Sequence, residues 1–568
     1  MARDREVEWQ LDAVDLRPVA RFIAERPAGS VALERTGAVT IRDRYLDTQD
    51  WRLHRAGATL RIRTAGRRSE ATMKSKGTLV DGLRDRRELT EPLSPAEPEA
   101  VRALPGEVGR SVRALAGRRR LRQLFEIRNR RVIFAIAIDG ATVGELSLDD
   151  TTIPVARGRP ARLQRVEIEV EPAAVDSVAP FVDELRSSAG LRPASASKFQ
   201  AGLLASGLVP PARDDLGPTA VRVEMTVGEL AFGVLRRQFA TFLEREPAAR
   251  LGEDPEGVHD IRVATRRMRA AMSLFREALP VRTQRLRDEL KWVAGVLGEV
   301  RDLDVQLVQL RQWEADMSPE DVAALRPLVE RLEARHARAR SDMLDALDSR
   351  RYERTVAGMT DLLKRGPLRR APASRMPAQI AAPDLVRRRY RPVRKRGDAI
   401  GPSSPPEDFH ALRIRCKRLR YAAEFLSPLA PKQSERLISA LVEVQDCLGE
   451  HQDAQVAMAR LREMAEEDLP ARAVFLLGRI DERYERRAAE LRAALPDVYA
   501  GIRGKAWRRL RTVLDEGRDR AVAESPPRPP SLRPAPAPRR AVRMPAARAA
   551  GSGPSGPPPA PGLAVVRD

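Results

Sequence analysis

The sequence predicts an α+β chain in two unlike parts, a strand-rich module followed by an all-α domain duplicated within itself. Three observations carry this. Short runs with a period of two fill residues 1 to about 205; from about 220 the apolar residues recur with a helical period; and three segments of the helical part recur 151 residues further on.

The strand-rich module, residues 1–205, contains the runs Glu6 to Leu11 (EVEWQL), Thr59 to Arg63 (TLRIR), Arg131 to Ile138 (RVIFAIAI) and Arg165 to Glu171 (RVEIEVE). In the first, Glu6, Glu8 and Gln10 share one face while Val7 and Trp9 share the other. Arg61 and Arg63 oppose Leu60 and Ile62 in the same way, and Glu167, Glu169 and Glu171 oppose Val166, Ile168 and Val170. Helices are expected near 15–26, 95–115 and 176–190. The alternation fits an ordinary half-exposed antiparallel sheet. It fits equally a closed barrel whose interior takes phosphates on Arg and Lys and a divalent cation on paired carboxylates.

Turn formers and charge interrupt both periods from Gly207 to Pro218, which makes 206–219 a linker. Residues 220–515 then read as all-α, with segments such as Val227 to Glu246 and Leu328 to Leu347. A Pro/Ala/Arg-rich gap at about 366–380 divides them into repeats at about 220–365 and 378–515, and a further loop is expected at 401–406. Residues 525–568 are dominated by Pro, Ala, Gly and Arg and bury too little apolar surface to offset their ordering entropy, so a disordered tail is expected.

The repeat rests on one displacement. His259 to Arg269 (HDIRVATRRMR) aligns with His410 to Arg420 (HALRIRCKRLR); Leu297 to Asp302 (LGEVRD) with Leu448 to Asp453 (LGEHQD); Val234 to Phe239 with Leu385 to Tyr390. Four helices per unit are expected. At about 100° per residue, His259, Arg262, Arg266 and Arg269 fall in a sector of roughly 80°, one stripe of positive charge. His410, Arg413, Lys417 and Arg420 repeat it. A run of charge is commonly a solvated face. Two such faces, each led by a histidine, point instead to an anionic ligand.

Composition agrees. Lys and Arg number 102 against 80 Asp and Glu, for a formal charge of +22. An anionic partner follows, and arginine's fixed, planar fork favours phosphate over carboxylate. A GC-rich genome would enrich arginine in the same way, so composition alone does not choose. Only 4% of residues are aromatic, which leaves few platforms for stacking bases and makes nucleic acid a third-ranked ligand. With two cysteines, no secretory leader and no run of about 18 apolar residues, a cytoplasmic protein without a membrane span is expected. No GxxxxGK[ST], GxSxG or HExxH motif occurs, and the histidines at 54, 259, 336, 410 and 451 lack zinc-ligand spacing.

Two family resemblances join these readings. Glu6-x-Glu8, Tyr45 to Arg63, Lys74, Val166 to Glu169 and Ser197 to Gly202 resemble a CYTH domain. This implies an eight-stranded antiparallel barrel, the triphosphate tunnel fold, acting on triphosphates. It also implies that Arg61, Arg63, Lys74, Arg87, Arg128 and Arg130 bind phosphate, and that Glu6, Glu8, Glu167 and Glu169 hold Mg²⁺ or Mn²⁺ and position the attacking water. One departure stands out: Gln10 occupies the place of the lysine in the family's ExExK motif, with Lys76 or an arginine left to supply the charge. His259 to Arg269, Leu297 to Val305, His410 to Tyr421 and Leu448 to Asp453 resemble a CHAD domain, which implies two four-helix bundles around a basic groove that binds polyphosphate. The expected function is therefore polyphosphate binding by the helical domain with hydrolysis of triphosphate or short polyphosphate in the barrel. The alternative is a non-enzymatic protein of polyphosphate granules whose barrel is degenerate.

Overall fold

The computed structural model describes residues 5–26, 29–80, 82–155 and 158–524; the tail expectation at 525–568 lies outside them. The strands are β1 (Arg5–Ala13), β2 (Val31–Thr48), β3 (Ala58–Ala65), β4 (Arg68–Ser75), β5 (Thr78–Val80), β6 (Leu83–Pro92), β7 (Leu121–Ile138), β8 (Ala141–Ile153), β9 (Ala161–Val170) and β10 (Arg192–Pro193). Around the sheet they run β1-β9-β8-β7-β2-β3-β4-β6, and β6 pairs back onto β1. That closes an eight-stranded barrel, every pairing antiparallel, with β5 and β10 as short additions. Closure removes the sheet's free edges.

The barrel carries its apolar surface outside. Trp9, Leu11, Ile136, Leu146, Val166, Ile168 and Val170 pack beneath α1 (Arg17–Glu25) and α5 (Val175–Ala189). On the other side Leu60, Ile62, Ala71, Met73 and Leu89 pack with Val108, Val112 and Leu115 of α4 (Glu107–Ala116), next to α2 (Arg52–Arg55) and α3 (Pro98–Ala103). The period of two then leaves the charged residues for the lumen. A last helix, α6 (Lys198–Ala205), begins at a capping box formed by Ser197 and Gln200.

The helical domain comprises α7 (Val227–Leu251), α8 (Pro255–Leu274), α9 (Thr283–Glu314), α10 (Pro319–Leu347) and α11 (Arg350–Arg365), then α12 (Pro372–Arg375), α13 (Ala378–Gly397), α14 (Pro406–Leu426), α15 (Pro431–Ala465), α16 (Ala471–Arg503) and α17 (Lys505–Ala523). Helices α7 to α11 correspond to α13 to α17, one more per unit than the four expected from sequence. The extra helix follows from a break at Leu347–Ser349, where Ser349 caps α11 through Tyr352 N–H. Helix α17 also runs past residue 515, to Ala523. One apolar core spans both units, from Leu230 and Phe239 to Leu412, Leu441 and Trp507. The units meet again at Thr226 and Pro377, equivalent positions whose flanking amides bond across, Val227 N–H to Met376 O and Ala378 N–H to Met225 O, each at 2.8 Å. Among the described residues no helix is long and apolar enough to cross a membrane.

Candidate functional site

Two charged sites emerge, one in the barrel lumen and one between α8 and α14. In the lumen, the β1–β9 and β1–β6 registers set Glu8 opposite Glu169 and Arg84, and Glu6 opposite Arg86. Lys74 on β4 bonds Glu6 at 2.6 Å and Glu88 at 2.7 Å. Arg86 spans Glu6 and Glu8, at 2.7 and 2.6 Å. Arg63 is bidentate on Asp43, with Arg61 alongside. Across the lumen Arg131 joins Asp149 and Glu167, and Lys198 enters from the start of α6 onto the same two carboxylates. The interior thus sets cations against carboxylates, most of them buried and paired, while among the described residues Arg84, opposite Glu8, forms no ion pair and has its Nε buried without a partner.

Burial, together with its neighbours Glu6 and Glu167, pushes the Glu8 carboxyl up to about 7. Glu6 goes the other way: burial opposes its ionisation, but Lys74 and Arg86 overcome it and hold the carboxyl well below the usual range. Gln10, in place of the motif lysine, donates Nε2–H to Glu8 at 2.7 Å and leaves its own buried Oε1 without a partner. An amide makes that hydrogen bond without neutralising Glu8, and Arg86 supplies the cation instead. Lys76 is exposed.

The lumen thus gathers Glu6, Glu8, Glu167, Arg61, Arg63 and Lys74, with Glu169 on the same face of β9 but open to solvent. Arg87, Arg128 and Arg130 are placed elsewhere. Arg87 bonds Glu107 and Glu253 outside the barrel, and Arg128 and Arg130 are exposed while Asn129 and Arg131 take the inward positions of β7. Arg86, Arg131, Lys198, Asp43 and Asp149 were not foreseen. Oxygen donors are the ligand type a hard divalent cation takes, and the buried Gln10 Oε1 is one such atom left without a partner. Among the described residues, however, no three acidic, histidine or cysteine side chains converge as a cluster able to hold a metal. Arg86, Lys74, Arg131 and Lys198 occupy the oxygens that would have to turn toward it.

In the helical domain α8 and α14 lie side by side, and the two stripes meet. Arg266 donates Nε–H to the Tyr421 hydroxyl at 2.7 Å, while Arg267 pairs with Glu424 and stacks over the Tyr421 ring at 5.5 Å. Neither stripe contains a carboxylate, and the next helix shows how each is accommodated. Arg262 lies across Gly298 and is attracted by Asp302; Arg413 lies near Gly449 and is attracted by Asp453. The recurring Leu-Gly-Glu…Asp segment is therefore the bed of the preceding helix's arginine. Burial and the charges of Arg413, Arg266 and Arg420 lower the Lys417 ammonium to about 8. His410 bonds Gln452 at 2.6 Å, and His259 sits half-buried at the corresponding place on α8.

Comparison with known proteins accords with this division. The CYTH domain model matches residues 22–203 and the CHAD domain model residues 233–462. Two uncharacterized proteins of Mycobacterium tuberculosis, from strains CDC 1551 / Oshkosh and H37Rv, are 29% identical over 494 residues, covering 82% of this chain and 89% of theirs. Among solved structures, the CHAD domain from the plant Ricinus communis is 26% identical with a TM-score of 0.43, over 52% of this chain and 97% of its own. PptA from Streptomyces chartreusis is 21% identical with a TM-score of 0.40, over 48% and 99%. A putative adenylyl cyclase from Hippeastrum, described as having a dominant triphosphatase activity, is 20% identical with a TM-score of 0.29, over 36% and 98%.

Proposed function

We propose that this chain, a CYTH domain followed by a CHAD domain, holds inorganic polyphosphate between α8 and α14 and hydrolyses triphosphate or short polyphosphate in the barrel. The observation that carries the reading is the meeting of two carboxylate-free stripes, with Arg262 and Arg266 on one helix and Arg413 and Lys417 on the other. Like charges at these spacings disfavour an isolated helix by a few tenths of a kcal/mol per pair. A linear polyanion offsets that along its whole length. His259, Arg269, His410 and Arg420 extend the same surface at either end.

In the barrel, Arg61, Arg63 and Lys74 would bind phosphate oxygens, joined by Arg86, Arg131 and Lys198. Glu6, Glu8, Glu167 and Glu169 would hold Mg²⁺ or Mn²⁺, whose charge neutralises phosphate oxygens and lowers the barrier to attack by water. The chain's own residues orient the substrate by exchanging carboxylate partners for phosphate ones. Glu8, raised to about 7 by burial and by Glu6 and Glu167, would take up the proton of the attacking water.

The test is to replace Arg262, Arg266, Arg413 and Lys417 together by alanine and titrate polyphosphate. Binding should be abolished with the fold intact; unchanged binding refutes the assignment. For the barrel, protein with Mg²⁺ or Mn²⁺ that releases no phosphate from triphosphate, ATP or polyphosphate rules out hydrolysis.

A second reading is favoured by Gln10: a polyphosphate-binding protein with an inactive barrel, localised to granules. Gln10→Lys separates the two. An inactive parent that gains hydrolysis supports the inactive barrel, and an active parent removes it.

A further inference from the structure

The two stripes are related by the internal repeat, yet the groups that flank them are not. At the common displacement of 151 residues, Arg267 corresponds to Arg418 and Glu424 to Ser273. On one side of the α8–α14 contact, Arg267 and Glu424 form an ion pair. On the other, the carboxylate is missing, and further arginines stand in its place. Arg389 donates Nη2–H to Ser273 at O (3.0 Å) and Oγ (3.1 Å). The repeat counterpart of Arg389 is Gln238, and that of Arg287 is Ile438. The cluster therefore belongs to one end of the contact only.

It surrounds a cavity of about 310 Å³ lined by Ser273, Arg276, Gln284, Arg287, Arg388 and Arg389. Arg269, the last residue of the α8 stripe, and Arg418 stand at its edge, close enough that Arg269 feels Arg287 and Arg418, and Arg389 feels Arg418, Arg388 and Arg287. Two acids are placed there by the contacts among the described residues, and Glu277 lines the cavity itself. Glu277 is taken by Arg388 at 2.9 Å, and Asp288, which attracts Arg269, accepts from Gln284 at 3.2 Å. Among the described residues Arg269, Arg287, Arg389 and Arg418 form no ion pair, and the Nε atoms of Arg269 and Arg287 are buried without a partner. Arg287 and Arg389 line the cavity half-buried and without a carboxylate, with Arg269 and Arg418 close by, an arrangement that an anion would complete.

We propose that this pocket binds a terminal phosphoryl dianion, the end of the chain that lies along the stripes. The proposal rests on the polyphosphate reading of the helical domain. Its chemistry is that of charge density. An internal phosphate of a chain carries one negative charge, whereas an end group carries nearly two near neutral pH, with a second pKa of about 6 in a phosphomonoester. Several forks around one cavity match the end group, while the stripe, with one cation per turn, matches the repeating internal units. Free orthophosphate offers the same dianion and is the competing source.

The experiment measures binding of full-length protein to linear polyphosphate with free ends, to the same chains with both terminal phosphates esterified to an alkyl group, and to orthophosphate. Free-ended chains should bind about tenfold more tightly than capped ones, about 1.4 kcal/mol. Arg287→Gln with Arg389→Gln should erase that preference and still bind capped chains. Ser273→Glu, which recreates the ion pair of the opposite side, should do the same without removing a cation, so a misfolded double variant leaves the question decidable. Equal binding of capped and free chains by the wild type overturns the pocket and leaves the stripe reading standing. Saturable orthophosphate binding lost in both variants, with no end preference, overturns the chain end as the source. No binding of either chain overturns the reading on which the proposal rests.

Discussion

Arg262 of α8 lies across Gly298 of α9 so closely that a β-carbon at position 298 would stand 2.5 Å from its Nη1, whereas the equivalent β-carbon at Gly449 would meet Arg413 Nε at 3.9 Å. The two halves of the duplicated site thus tolerate the same change differently. Gly298→Ala should displace a flexible guanidinium, leave the fold intact and weaken polyphosphate binding several-fold. Gly449→Ala should alter binding little, since 3.9 Å is ordinary van der Waals contact. Calorimetric titration of the two variants checks this, and equal effects would refute it.

Lys417 provides a titration within the same site. Its ammonium, lowered to about 8 by burial, Arg413, Arg266 and Arg420, is charged below that pH and neutral above it. Polyphosphate affinity should therefore fall as pH rises from 7 to 9. Because a bound polyanion restores the ammonium, binding at pH 8 should take up protons, seen as a dependence of the calorimetric heat on the buffer. Lys417→Arg should flatten both.

Glu8 makes the opposite kind of claim, on stability. Its carboxyl is raised from 4.5 to about 7 by burial and by Glu6 and Glu167. Between those pH values the folded barrel holds a proton that the unfolded chain has released, so stability falls as pH rises through the window. Glu8→Gln should remove this loss, and the difference between wild-type and variant denaturation midpoints at pH 5 and pH 7.5 reads it directly. A difference that does not change with pH would refute the placement of Glu8.

Asp348 joins barrel to bundle. It accepts from Arg52 of α2 at 3.0 Å and from Arg250 of α7 at 2.9 Å, while Gly117, with φ of 56°, closes over its carboxylate where any β-carbon would clash. Asp348→Ala removes a partner from two largely buried guanidiniums, but Arg52 keeps Asp50 and Glu353 and Arg250 keeps Glu246, so the loss should fall below the roughly 3–5 kcal/mol of an uncompensated buried charge. A marked fall in melting temperature and faster proteolysis between residues 206 and 226 are expected. Gly117→Ala should act in the same direction.

Much of this was legible in the sequence, for reasons that specific residues make plain. Arg61 and Arg63 alternate with Leu60 and Ile62, so their face is unambiguous; Glu6 and Glu8 alternate with Val7 and Trp9. Where both faces are basic, alternation is silent. Arg128 to Arg131 (RNRR) places arginine on each side of β7, and only the pairing of Arg131 with Asp149 shows which side enters the lumen. Arg86 and Arg87 pose the same problem on β6. Lys198 stood in a recognised segment, but its reach into the barrel depends on where α6 begins. The displacement of 151 residues located the stripes, yet their asymmetry appears only when Ser273 and Glu424 are compared across the contact.

The paired charges of the barrel give it a different character from the helical site. Among the described residues the lumen cations Lys74, Arg63, Arg86, Arg131 and Lys198 each already have a carboxylate, and Arg84 alone on that face of β6 makes no ion pair, so an entering phosphate chain must largely swap one set of counter-ions for another. The barrel behaves as an ion exchanger. Few mobile ions are released to solvent when it fills, whereas the stripes, in which among the described residues only Arg420 has an ion pair, with Glu424 at 3.5 Å, shed theirs. Affinity should accordingly decline steeply with salt at the α8–α14 contact and only shallowly in the lumen.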